Sequence, residues 1–422
     1  MSATPPVPKS EPISPCERSA RIDAARGFAI LGLAFVNLHA FASLDYYKSL
    51  FYSASENEGV DFWAQFLVEF FISGKCVAML AFLLGFGIAM QERRAEAAGE
   101  NAGRLIRKRM LILMVFGFVH MLLMWWGDIL FAYGLLGLGV LLFRNVSSRA
   151  RRFWSAGLIG GWLVICLGLS AISHSAEDVE LAPASEMTPA DLDDSEPASE
   201  VESDEDGDWF EDHVITPIYD TYSEGSFLDV FGVRMIESLF NQIVFLFGLP
   251  VYLGVAILGY DDCRSSWLTP GDIRLTRPRW LRAIVVVSVG VALFAAWLAG
   301  AYPLNPVTAP AYVLSIAAGL VIAGMYLVLI LRLRSENIVV RMMAPVGRMA
   351  LTNYLLQSAV GCFVFHPYGL GWYEKVSYSE VVVLAAAIAI VQIIFSQLWL
   401  RNHRFGPMEW LWRRATYPHP KN

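Results

Sequence analysis

Ten stretches of roughly 20 mostly apolar residues recur along this chain, close to the length of helix that crosses the hydrocarbon core of a bilayer. They leave the sequence few folds to choose from. In lipid, only a helix closes its backbone hydrogen bonds within one segment. The stretches lie at roughly 24–44, 66–90, 107–126, 128–143, 153–172, 237–259, 283–301, 311–331, 349–366 and 379–399. With 56% of its residues hydrophobic and 17% charged, the chain is far too apolar for a soluble globule. The expected fold is all-α, a polytopic membrane helix bundle of about ten transmembrane helices.

The connectors set the orientation. Basic residues cluster at Arg93 to Arg109, Arg144 to Arg152, Arg264 to Arg282, Arg332 to Arg348 and Arg401 to Lys421. If ten spans are counted, every cluster falls on one side. The positive-inside rule makes that side cytoplasmic, with both termini there. The chain divides into a flexible proline-rich tail (1–20), a first membrane half (21–172), an acidic extracytoplasmic loop (173–235), a second membrane half (236–400) and an amphipathic cytoplasmic tail (401–422). The N-terminus lacks the apolar core and cleavage site of a signal peptide, so the first span reads as retained.

The acidic loop differs in kind from the other connectors. Sixteen Asp and Glu lie between Glu177 and Asp212, and no Lys or Arg occurs from 153 to 233. Without those sixteen, the balance of 32 basic against 39 acidic residues becomes 32 against 23. The overall net charge of −7 therefore conceals a membrane domain of about +9. So acidic a block buries too little surface to fold and reads as disordered.

Polar residues within apolar stretches need a reason, because lipid penalises them. At 100° per residue, Asp23, Arg26 and Asn37 share one face of the first helix, Arg26 within about 20° and Asp23 within about 40° of Asn37. His39 points nearly the opposite way. Gly74 separates an interfacial piece from the second span and leaves Lys75 in the outer half, either snorkelling or facing a cavity. His120 lies near the outer end of the third span, where Trp125 and Trp126 mark the interface. Gly127 and Asp128 turn the chain into the fourth. Asn353 and Gln357 stand at i, i+4, as Gln392 and Ser396 do, in the manner of interhelical glue. The five cysteines are scattered singly, without metal or redox spacing. No nucleotide-binding glycine loop or nucleophile elbow occurs, and nothing suggests a nucleic-acid partner.

The segments "RIDAARGFAILGLAFVN", "GKCVAMLAFLLGFGIAM", "KRMLILMVFGFVHMLLMWWGDILFAYGLLGL", "GRMALTNYLLQS" and "RFGPMEWLWR" resemble, in order, the YeiB-like bacterial membrane proteins. That family is defined around a domain of unknown function. The resemblance implies the bacterial cytoplasmic (inner) membrane. The opening segment is also similar to that of transmembrane acyltransferases of the heparan-alpha-glucosaminide N-acetyltransferase type, carried by Arg21, Asp23, Arg26, Gly27 and Asn37. Those enzymes take an acyl group from cytoplasmic acyl-CoA and pass it to a sugar on the other side.

This second resemblance implies the leading functional expectation. His120 would be the general base, oriented by Asp128, with Asn37 donating to the oxyanion. Arg21, Arg104, Arg107, Arg109 and Arg348 would hold the phosphates of acyl-CoA, a co-substrate rather than a resident cofactor. Asp23, Arg26, Lys75, His39, Asn353 and Gln357 are the substrate-contacting candidates. The expected partners are the bilayer and a cell-envelope glycan or lipid acceptor. No metal site is expected. A transporter or flippase is the rival reading, since ten spans split five and five invert the second half.

Overall fold

The computed structural model describes residues 20–44, 57–180, 211–265, 279–301 and 309–417. Helices α1 (Ala20–Ala42), α2 (Gly59–Phe71) and α3 (Lys75–Ala97) come first. A hairpin of α4 (Ala102–Leu123) and α5 (Leu130–Leu141) leads into α6 (Ser148–Glu180). Then follow α7 (Thr216–Glu224), α8 (Phe227–Ser265), α9 (Arg279–Ala301) and α10 (Ala309–Arg332). The last four are α11 (Ile338–Arg348), α12 (Ala350–Phe365), α13 (Tyr378–Asn402) and α14 (Pro407–Thr416). The described residues contain no strand.

Each expected apolar stretch falls on a helix. Six helical segments among the described residues are long and apolar enough to cross a membrane: Ala20–Ala42, Gly59–Ala97, Ser148–Ala171, Phe227–Arg264, Val313–Arg332 and Tyr378–Asn402. Leu130–Leu141, Val286–Trp297 and Ala350–Phe365 are apolar but shorter. Gly74 adopts φ 71° and forms the N-cap of α3, a backbone state that costs glycine little. It divides α2 from α3 where the sequence suggested.

The main core is built around α1. Ala24, Ala25, Ala29, Leu33, Ala34 and Leu38 are buried there against α3, α10, α11, α12 and α13. Small residues let helices approach closely, which drives association where both sides are equally apolar. Gly347 is the extreme case: a Cβ there would strike the carbonyl oxygen of Asp23. A second core joins α3, α4, α5 and α8 through Ala81, Ile106, Met110, Leu136 and Tyr260.

The bundle has two distinct ends. At the basic end, Arg21 donates to Leu331 O at 3.1 Å. Buried Glu92 there pairs with Arg144 at 2.9 Å and Arg264 at 3.2 Å. Asp261 likewise holds Arg151 at 2.9 Å and Arg152 at 3.0 Å. At the far end, Glu374 N donates to Ala42 O at 2.8 Å.

Two sequence-based boundaries shift. The region expected as one acidic loop, 173–235, is helical at both edges: α6 runs on to Glu180, and helix resumes from Glu211. Tyr222, Val230 and Ile215 are buried in a small far-end core with Leu44 and Tyr373, so apolar side chains hold this part down despite the nearby charge. Residues 181–210 and the tail before residue 20 lie outside the described residues. The amphipathic C-terminal tail carries α14, which is docked onto the bundle. Its Glu409 carboxylate accepts the Leu351 and Thr352 amides at 2.7 and 3.1 Å and the Thr352 hydroxyl at 2.6 Å. Those amides open α12 and have no partner within the helix.

Candidate functional site

A cavity of about 270 Å³ enters the bundle from the basic end. Arg26, Arg109, Arg348 and Arg413 stand around its mouth with Asp23 and Glu409. Ile30, Leu80, Leu83 and Leu113 give it apolar walls, which also include Tyr133 and Tyr354. A second cavity of about 310 Å³ adjoins it, lined by Arg341, Arg348 and Arg404. The two share Asp23, Arg348 and Phe405. Helix α14 forms part of the wall because Trp412 Nε1 donates to Arg109 O at 3.2 Å. The Arg109 guanidinium in turn lies 4.2 Å over the Trp412 ring, a cation–π contact.

Beside Tyr354 lies a buried histidine–carboxylate pair. His120 is 3% exposed and Asp128 1%. His120 Nδ1 stands 2.8 Å from Asp128 Oδ1, while Oδ2 accepts the Phe131 amide at 2.7 Å. An ionised carboxylate can only accept, so the contact places the imidazole proton on Nδ1 and leaves Nε2 with its lone pair. That Nε2 is buried, with no hydrogen-bond partner among the described residues. The Tyr354 ring lies 5.2 Å from the imidazole, and its hydroxyl accepts the Ile129 amide at 3.2 Å. Gly117 clears the space; a Cβ there would meet Phe131 N and Asp128 Oδ2. A base held in one tautomer by a fixed carboxylate can take a proton from a hydroxyl or amine.

The other expected residues divide between the cavities and the scaffold. Asp23 and Arg26 form an ion pair at 2.9 Å and line the cavity mouth. Asn37 is buried but lines neither cavity. The polar stripe on α1 thus meets the cavity only along its first half. Arg109 and Arg348 line the cavity. Arg104 and Arg107 are exposed on the opening turns of α4, and Arg21 serves the end of α10. Asn353 donates to Ser396 Oγ at 2.9 Å, and Gln357 to Gln392 Oε1 at 2.9 Å and Ile30 O at 3.1 Å. Those two tie α12 to α13 and α1, outside both cavities. His39 packs on Tyr378 with ring centroids 4.3 Å apart. Lys75 is buried in a separate place, between α2, α3, α9 and α10. Among the described residues, no group of three or more His, Cys, Asp and Glu is arranged to hold a metal.

Residues 263–419 match the family described as Protein of unknown function (DUF418). The uncharacterized protein YxaH of Bacillus subtilis (strain 168) is 32% identical over 95% of this chain and 94% of its own length. The chain belongs to the YeiB-like family. YeiB of Escherichia coli (strain K12), also uncharacterized, is 27% identical over 95% of this chain and 96% of its own. An uncharacterized 39.9 kDa protein of Bacillus acidopullulyticus is 24% identical over 96% of both. No solved structure matches the chain.

This YeiB-like bundle also holds a far-end cluster that the sequence did not announce. Arg234 is fully buried. It donates to Leu123 O at 2.7 Å and Tyr368 Oη at 3.3 Å, and lies 3.2 Å from His366 Nε2. Tyr222 stacks on His366, centroids 5.1 Å apart, and donates to Glu237. A guanidinium can only donate, so His366 accepts from it through Nε2. Arg234 and Glu237 sit where α8 begins, and His366 follows a helix, so periodicity gave no sign that they meet.

Proposed function

We propose that this multi-pass protein of the bacterial inner membrane is an acyltransferase. It crosses the membrane ten times with both termini cytoplasmic. It takes an acyl group from cytoplasmic acyl-CoA and passes it to an extracytoplasmic cell-envelope acceptor. The observation that carries this reading is the buried His120–Asp128 pair, whose imidazole packs on Tyr354, a residue lining the arginine-rich cavity that neither member of the pair lines itself.

The paired cavities suit a donor with two chemistries. The arginine-lined one takes the phosphorylated head through charge-assisted hydrogen bonds, with Arg348 serving both. The apolar-walled one takes the pantetheine arm and the acyl group. His120 Nε2 removes the proton from the acceptor hydroxyl or amine as its oxygen or nitrogen bonds to the thioester carbon. The carbon–sulfur bond then breaks, and the CoA thiolate leaves with the proton returned by His120. Asp128 steadies the imidazolium formed between these steps. In this reading the Tyr354 hydroxyl, on a residue that lines the cavity with its ring 5.2 Å from the His120 imidazole, serves as oxyanion donor in place of Asn37.

The test is CoA release from acetyl-CoA and longer acyl-CoAs by the full-length protein in liposomes, beside His120→Ala. The expected result is release that falls in the variant by about 10²–10⁴-fold, the usual size of a general-base contribution. Equal release by both proteins removes His120 from the mechanism. No release with any acyl-CoA overturns acyl transfer and favours transport through the same cavity.

A further inference from the structure

Far from His120, a cavity of about 120 Å³ lies between α2, α3, α9 and α10, and Lys75 and Glu69 both line it. Lys75 is 6% exposed. A lysine near a helix end ordinarily snorkels to the interface. This one turns inward, and its Nζ donates to the backbone carbonyl of Glu69 at 2.6 Å. An ammonium has three donors, so this bond uses one of them. The Glu69 carboxylate has the Ser73 hydroxyl beside it. Among the described residues it forms no direct ion pair with Lys75. An amine and a carboxyl group therefore face one cavity without direct contact, and buried ionisable groups of this kind are costly in a membrane.

Room for a ligand comes from Ala292, Ala295, Ala296 and Gly319 on α9 and α10. The space far exceeds what a single water needs. Ile316 lines the cavity and is 39% exposed, so one wall of the cavity is an apolar side chain that reaches the surface of the bundle.

We propose that this cavity binds the headgroup of a zwitterionic phospholipid bearing a primary ammonium, of the phosphatidylethanolamine type. Its phosphate accepts from Lys75, and its ammonium donates to Glu69. Phosphatidylglycerol lacks the ammonium, and phosphatidylcholine carries a cation with no N–H to donate, so each meets half of the site. This site is independent of the acyl-transfer chemistry.

The experiment is native mass spectrometry of the delipidated full-length protein with phosphatidylethanolamine, phosphatidylglycerol and phosphatidylcholine. Soluble phosphoethanolamine is the competitor. The wild type retains the ethanolamine lipid above the other two. Lys75→Met weakens that retention by about tenfold, the factor carried by a charge-assisted hydrogen bond. Glu69→Gln keeps phospholipid binding but erases the preference for ethanolamine. Gly319→Leu blocks the cavity with both charges kept; a Cβ there meets only Lys75 Cε, at 3.8 Å, so the backbone tolerates it and the proposal stays testable if Lys75→Met does not fold. Equal retention of all three lipids by the wild type, or undiminished retention in Gly319→Leu, overturns the site. Displacement by phosphoethanolamine at concentrations as low as those of the lipid overturns the lipid as its source.

Discussion

His120 Nδ1 and Asp128 Oδ1 lie 2.8 Å apart, and the other oxygen of that carboxylate accepts the Phe131 amide at 2.7 Å. Asp128 thus joins the end of α4 to the first turn of α5 while fixing the imidazole. Asp128→Asn keeps an oxygen for Phe131 but no longer holds the imidazole in the tautomer that leaves Nε2 unprotonated. Under the proposed acyl transfer, CoA release is expected to fall by about 10²–10⁴-fold with the melting temperature nearly unchanged. Asp128→Ala is expected to lose the same activity and, in addition, about 1 kcal/mol of stability through the orphaned amide. Thermal unfolding in detergent separates the two effects.

His366 makes the far end acid-sensitive. Its Nε2 accepts from the buried Arg234 guanidinium at 3.2 Å, so a proton bound there sets two buried cations side by side, and stability is expected to fall as pH drops below the ordinary histidine range. His366→Gln should flatten this acid limb, because Gln retains an acceptor for Arg234 and does not titrate. A melting profile across pH measures it, and an unchanged slope in the variant would remove His366 as the cause.

Glu409 acts with the opposite sign. Burial raises its pKa, against the pull of the Thr352 and Leu351 hydrogen bonds. Its contribution is full below the ordinary carboxylate range and declines as pH rises through the raised folded value. Glu409→Ala uncovers the amides that open α12 and is expected to cost about 1–3 kcal/mol. It should also free α14, which protease cleavage near Trp410 would report.

Gly347 lets α1 and α11 touch at the mouth of the cavity. Gly347→Ala forces a methyl onto the Asp23 carbonyl, with an expected cost of about 3 kcal/mol from overpacking. The same change at Gly157, where a Cβ meets nothing, should be nearly neutral. Matched melting temperatures for the two variants would contradict the packing described here.

Arg348 belongs to both cavities. Under the proposed acyl transfer, Arg348→Ala is expected to raise KM for acyl-CoA about tenfold with kcat nearly unchanged, the pattern of lost ground-state binding. Arg104→Ala, exposed on α4, should alter neither. Steady-state CoA release measures both.

Much of the architecture was legible because apolar length and helical period are local properties. The stretch at 107–126 became α4, the break at Gly74 stands where it was read, and the resemblance to YeiB-like proteins matched relatives along nearly the whole chain. Asp23 and Arg26 also met the cavity as their shared face suggested. Asn37 did not follow them, since helical phase says which residues share a face but not how deep a cavity runs along it.

The sequence by itself determined that this chain lives in a membrane as helices, because backbone hydrogen bonding in lipid admits little else. It also determined where those helices lie, through apolar length and glycine. Only the tertiary structure decided that Arg234 meets His366 across 132 residues, and that Glu409 closes α12 from 57 and 58 residues away. Such partnerships depend on which helices pack together, and a polar side chain carries no local mark of the distant residue that satisfies it.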